Sequence, residues 1–135
     1  MPRSLNHVDL RVHDIQVAGA FYRRLFPLLG FTVRVDIEGW IQFEAPGATV
    51  AEFFGVTEDK NHRPNRSRIA FWSESNRRVD ELAAAVRELG GRNIEGPGFE
   101  SPSYYALYFD DPCGNPLEIC HRSRRFDEPA RGAHL

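Results

Sequence analysis

The sequence predicts an α+β fold: two tandem βαβββ modules forming an open, cup-shaped curved sheet with the helices on the outside. Three observations carry this. Short runs alternate polar and apolar residues as strands do, two longer stretches place apolar residues on one helical face, and the succession of strand, capped helix and Leu-Gly occurs twice, at 7–30 and at 68–90. A chain of 135 residues, 41% apolar and 27% charged, has room for one domain with its own core.

Residues 7–12, His-Val-Asp-Leu-Arg-Val, send His7, Asp9 and Arg11 to one side and Val8, Leu10 and Val12 to the other, the pattern of a half-buried strand. Asp14 is placed to cap a helix whose stripe is Ala18, Phe21, Tyr22, Leu25 and Leu29. Pro27 should open its last turn and Gly30 should end it. Strand-like runs follow at Phe31–Ile37, Trp40–Glu44 and Thr49–Phe54, with Gly39 and Pro46-Gly47 as turns. The polar stretch 57–66 reads as a linker between module one, about 5–56, and module two, 67–122, within a single domain of residues 5–122.

The pattern then restarts. Arg68–Trp72 alternates as a strand, and Ser75 or Asn76 caps a helix with the stripe Val79, Leu82, Ala83, Val86 and Leu89, closed by Gly90-Gly91. Two or three strands follow, clearest at Tyr104–Phe109 and Pro116–His121, joined by the turn Asp111-Pro112-Cys113-Gly114-Asn115. The tail from Ser123 to Leu135 shows little periodicity and is expected to be loosely ordered. Helices covering one face of each sheet leave the other face to line a cavity. Alternation sends His7, Asp9, Arg11 and Glu52 there from the first half, and Arg68, Trp72, Tyr104 or Tyr108, and Glu118 from the second.

A net charge of −2 speaks against nucleic acid or anionic membranes as partners. No apolar run has the length of a signal peptide core or a membrane span, so a soluble, cytoplasmic protein is expected. Cys113 and Cys120 are expected to be reduced thiols. Gly96-Pro97-Gly98 is a turn rather than a phosphate loop, and neither a Gly-x-Ser-x-Gly elbow nor a His-Glu-x-x-His helix occurs. Nucleotide hydrolysis and serine esterase chemistry fall away with them.

With its Asn6-His7-Val8 opening, Phe21-Tyr22 before Leu29-Gly30-Phe31, and Asp111-Pro112-x-Gly114-Asn115-Pro116-x-Glu118 ending, the chain resembles the vicinal oxygen chelate superfamily. That superfamily includes glyoxalase I, extradiol dioxygenases, fosfomycin and bleomycin resistance proteins and methylmalonyl-CoA epimerase. The resemblance implies a divalent metal (zinc, nickel, manganese or iron) held by His7, Glu52 and Glu118, a small-molecule substrate, and a homodimer. Where the family usually has a fourth ligand, His, this chain has Arg68, and Cys113 stands where an Asp is common.

A guanidinium is always charged and cannot ligate a metal. Arg68 therefore either turns inward to pair with Glu52 and Glu118 in a metal-free pocket, or swings aside and leaves three ligands with open positions. On this resemblance Glu118, Glu52 and Arg68 are the candidate catalytic residues of a glyoxalase-like lyase or isomerase, with a dioxygenase the less favoured reaction. The competing reading is a metal-free, drug-sequestering protein that holds a ligand between Trp and Tyr side chains. His62 is expected to be an exposed loop residue, Asp9 and Arg11 to pair with each other or with solvent, and Trp40, Trp72 and Tyr108 to fill core or line the pocket.

Overall fold

The computed structural model describes residues 5–47 and 52–123, and the tail beyond Ser123 lies outside them. Module one runs β1 (His7–Val12), α1 (Ile15–Leu28), β2 (Val33–Ile37), β3 (Trp40–Glu44) and β4 (Phe53–Glu58). Module two repeats the order as β5 (Ile69–Trp72), α2 (Asn76–Leu89), β6 (Arg92–Ser101), β7 (Tyr104–Asp110) and β8 (Pro116–Arg122). Each module is one four-stranded sheet, ordered β1-β4-β3-β2 and β5-β8-β7-β6. The first strand of each module pairs in parallel with its last, and the remaining pairs are antiparallel.

Both helices begin where capping chemistry places them. The Asp14 carboxylate accepts from the N–H groups of Gln16 and Val17, and the Ser75 hydroxyl oxygen accepts from Arg78 N–H. Gly90, at φ 100°, takes the left-handed position that ends α2, a conformation costly for any residue with a Cβ. Pro27 stays within α1, whose end closes through bonds from Leu29 N–H to Phe26 and from Gly30 N–H to Pro27. No helix among the described residues is long and apolar enough to cross a membrane.

The last strand of module one departs from expectation. Residues 49–51 of the expected run lie outside the described residues, and the strand observed begins at Phe53 and takes up Thr57 and Glu58 from the stretch read as linker. Parallel pairing with β1 is the reason, since it continues to Arg11↔Thr57 and Val12↔Glu58. The Glu58 carboxylate then accepts from Ile15 N–H at the start of α1.

One core serves both modules. Phe26, fully buried, lies 4.8 Å from Phe43, 4.7 Å from Phe54 and 5.6 Å from Phe71, ring centroid to centroid, and so joins α1 to both sheets. Phe26→Leu keeps an apolar side chain and loses these ring contacts. It is expected to lower stability by about 1–2 kcal/mol, read as a fall in the urea midpoint at unchanged slope.

The Asp111–Asn115 turn is a second joint, and a polar one. Asp111 has no exposed surface, and its carboxylate accepts from Tyr22 Oη–H at 2.6 Å, Cys113 N–H at 2.8 Å, Asn115 N–H at 3.0 Å and Asn115 Nδ2–H at 3.0 Å. Asn115 Nδ2 also donates to the Arg11 carbonyl on β1. Cys113, a free thiol like Cys120, reaches the Asp14 carbonyl through its Sγ. The 59–68 loop folds over this turn, so His62 is half-buried with Nε2 at 3.1 Å from Asn115 Oδ1, rather than an exposed loop residue.

Candidate functional site

Strand alternation decides which side chains leave the core. On β7 and β8, Leu107, Phe109, Leu117 and Ile119 pack inward, so Tyr104, Tyr108, Glu118 and Cys120 share the face of the sheet away from the helices. Ala70 and Trp72 of β5 carry the same phase, and Trp72 is 75% exposed there, a surface residue rather than core. On module one the corresponding open face carries His7, Asp9 and Arg11 from β1, Phe53, Gly55 and Thr57 from β4, and Trp40 from β3.

The open face of module two carries a linked cluster of tyrosines, a carboxylate and two guanidinium groups. Glu118 is only 6% exposed and accepts a short hydrogen bond from the Tyr104 hydroxyl. Arg68, one residue ahead of β5, lays its guanidinium over the Tyr108 ring, 4.6 Å from the centroid. Tyr108 and Glu118 are cross-strand neighbours. Arg122 stacks over Tyr104 in the same manner at 4.2 Å. Burial, followed by the negative charge of Glu118 and a hydrogen bond to Glu100, pushes the Tyr108 hydroxyl up to about 12. Burial and its bond to Glu118 raise Tyr104 further, so both phenols are neutral donors at any physiological pH.

Arg68 thus takes neither of the two expected positions. It makes no ion pair with Glu118 or Glu52 among the described residues, and instead of swinging clear it rests on an aromatic ring. Cation–π contact accounts for that seat, while the carboxylate beside it is already occupied by a tyrosine hydroxyl.

On module one, His7 stacks flat on Phe53, 4.4 Å between centroids and 3° between planes, with Nδ1 at 2.7 Å from Asn6 Oδ1. Asp9 pairs with Arg11 at 3.1 Å and accepts from the Thr57 hydroxyl, the self-contained pairing expected of those two charges. Glu52 is exposed just ahead of β4, in the alternation phase of the core residue Phe54. It shares with His7 and Ala70 the wall of a cavity of about 140 Å³ that Glu118 does not line.

The repeat itself shows why these four residues do not form one ligand set. His7 is level with Phe53 in the first parallel pair, and Arg68, preceding the Ile69↔Leu117 pair, is level with Pro116 in the second. Counting two residues on, the module-one counterpart of Glu118 is Gly55; the counterpart of Glu52 is Asn115. A Cβ on Gly55 would lie 3.0 Å from Trp40 Nε1, so the indole occupies the place a side chain there would need. Each module therefore lacks one donor, at Arg68 and at Gly55. Among the described residues no group of three or more His, Cys, Asp or Glu is placed to hold a metal ion. The described residues do not fit the divalent metal that the resemblance implies.

Local reading of the sequence missed the Glu100 contact to Tyr108, the indole over Gly55 and the joint made by Asp111. The second is set by strand pairing, which no local segment states.

The comparisons with known proteins agree with this architecture. The family model described as Glyoxalase/Bleomycin resistance protein/Dioxygenase superfamily matches residues 4–119. A solved glyoxalase/bleomycin resistance protein from Albidiferax ferrireducens T118 is 30% identical, with a TM-score of 0.74, covering 89% of this chain and 99% of that one. The fosfomycin resistance protein FosX from Listeria monocytogenes, 20% identical with a TM-score of 0.68 over 90% of this chain and 94% of that one, shares the fold. So does a lactoylglutathione lyase from Agrobacterium tumefaciens, 18% identical with a TM-score of 0.63 over 89% and 94%. No curated protein matches the chain. A paired-module fold over nearly all the described residues, with the family model matched across both modules, means that this chain belongs to the Glyoxalase/Bleomycin resistance protein/Dioxygenase superfamily.

Proposed function

We propose that the protein is an enzyme acting on a small oxygenated molecule at the open face of module two, with Glu118 moving a proton and Arg68 supplying the cation. The observation that carries this is a carboxylate 6% exposed, oriented by the Tyr104 hydroxyl and neighboured by a ring-seated guanidinium. In the step envisaged, Glu118 takes the proton from a carbon next to a carbonyl and the electron pair moves onto the carbonyl oxygen. Arg68 stabilises that oxygen as its charge develops, and the proton then returns to carbon. The step is that of an isomerase of the glyoxalase-like type, with Arg68 in the place of the metal cation.

The test is deuterium wash-in from D2O, followed by NMR in the presence of EDTA, with pyruvate, dihydroxyacetone and lactoylglutathione as substrates. Exchange above the spontaneous rate in at least one of them is the expected result. Binding without exchange would favour sequestration, a reading supported by the exposed Trp72 beside the site.

Two copies are proposed to associate through module one. Its edge strand β2 turns Val33, Val35 and Ile37, each 40–50% exposed, onto the open face. Light scattering at micromolar concentration should give twice the monomer mass, and a monomer throughout would count against the dimer.

A further inference from the structure

Glu118 is almost closed off from water at 6% exposed, so a proton it takes from carbon needs a way out before a deuteron can return in its place. The open face supplies a route. Tyr104 and Tyr108 stand on the same side of β7 with Ala106 between them, and Ala106 is only 2% exposed, covered by its neighbours. Its cross-strand partners are the small residues Gly98 and Cys120, so the row that separates the two phenols carries no bulky side chain. The two hydroxyls lie within hydrogen-bonding reach of each other. Tyr104 is bonded onward to Glu118 on β8, and Tyr108 to Glu100 on β6. Phe99 and Ser101 pair with the consecutive residues Tyr105 and Tyr104, which leaves the exposed Glu100 out of the ladder as a bulge.

Four groups in a row thus make three links, from Glu118 to Tyr104, on to Tyr108 and on to Glu100. With both carboxylates ionised, the two phenol hydrogens are all there is to fill them. One link lacks a hydrogen, and the proton that Glu118 removes from carbon completes the row.

We infer that Glu100 is the water-side end of a proton relay that runs through Tyr108 and Tyr104 to Glu118. This rests on the reading of Glu118 as the base, and it adds the residue that restores that base. Once Glu118 is protonated, its O–H donates to the Tyr104 oxygen, the Tyr104 hydrogen turns to the Tyr108 oxygen, and the Tyr108 hydrogen already points at Glu100. Each hydrogen then moves one oxygen along, and the Glu100 carboxylic acid releases the last of them to water. Only O–H bonds break and form, and the negative charge passes from Glu100 back to Glu118. Burial and the adjoining carboxylates hold both phenols above the neutral range, so neither stands as a phenolate on the way and the hydrogens move together.

The test uses the ligand-free, full-length protein with carbon-13 at tyrosine Cζ, in equal parts H2O and D2O. The Cζ signal differs between O–H and O–D, so its line shape gives the exchange rate of each hydroxyl, and Tyr104→Phe assigns the Tyr104 signal. Exchange at Tyr104 should slow by roughly tenfold or more in Tyr108→Phe and in Glu100→Gln, whose amide still accepts the Tyr108 bond but cannot carry the proton away. Loosening of the sheet would speed exchange, so slowing does not come from lost structure. Tyr105→Phe, which removes the phenol bound to Asp80, should leave the Tyr104 rate as it is.

An unchanged or faster rate in Glu100→Gln overturns the inference, as does equal slowing in Tyr105→Phe. The two readings fail separately. Slowed exchange at Tyr104 without deuterium wash-in of any substrate removes the catalytic reading alone, whereas Glu118-dependent wash-in with an unchanged Tyr104 rate in Glu100→Gln removes the relay alone.

Discussion

Asp111→Ala should destabilise the protein by about 3–5 kcal/mol, a large share of the ~5–15 kcal/mol by which a domain of this size is folded. The Asp111 side chain is fully buried and accepts four hydrogen bonds, so its removal orphans the Tyr22 hydroxyl, two backbone N–H groups and the Asn115 amide together. Tyr22→Phe removes one of those donors and should cost only about 1 kcal/mol. Asp111→Asn keeps the volume but turns an NH2 group toward donors, so it should recover little. Urea unfolding of the three variants orders them, and a cost below about 1 kcal/mol for Asp111→Ala would show that the turn is not the joint described here. Burial first, then the Asp111 charge, hold the Tyr22 phenol well above its ordinary range. A phenol raised in the folded state contributes stability that is complete below about pH 10 and declines as the unfolded chain ionises above it.

The second large effect concerns chemistry. Glu118→Gln should slow deuterium wash-in by roughly 10²–10⁴-fold, the usual contribution of a positioned general base. Its amide carbonyl can still accept from Tyr104, so the melting temperature should change little and the lost rate cannot be ascribed to unfolding. Tyr104→Phe frees the carboxylate without removing it and should cost less, with a shifted pH profile for exchange as the sign of a positioning role. Wild-type exchange in Glu118→Gln would exclude Glu118 as the base.

The helices were legible because their ends are chemical. Asp14, Ser75 and Gly90 state their positions locally, and the apolar stripes between them leave one inward face. Glu118 was legible for a similar reason, since a carboxylate between Leu117 and Ile119 must find a partner, and Tyr104 supplies it. The phase of β4 was not. Val50-Ala51-Glu52-Phe53-Phe54 is apolar on both parities, so the run does not say which residues face inward; pairing with β1, remote in sequence, decides it. The direction of Arg68 was equally hidden, because a long side chain chooses among neighbours that only the folded sheet assembles. Trp40 belongs with it: nothing in its own segment announces that a bare glycine on the next strand leaves room for an indole.

The polar joint also bears on how the chain reaches this state. Its bonds span 89 residues from Tyr22 to Asp111 and 104 from Arg11 to Asn115, so they can close only when nearly the whole chain has condensed. Contacts of such long range belong to slow folders, and here they also tie the second-module turn to the first strand and helix. The repeat is thus a repeat of shape without independence. The two halves are therefore expected to open together, and amide hydrogen exchange of β1 and of the Asp111–Asn115 turn should show a single common opening event.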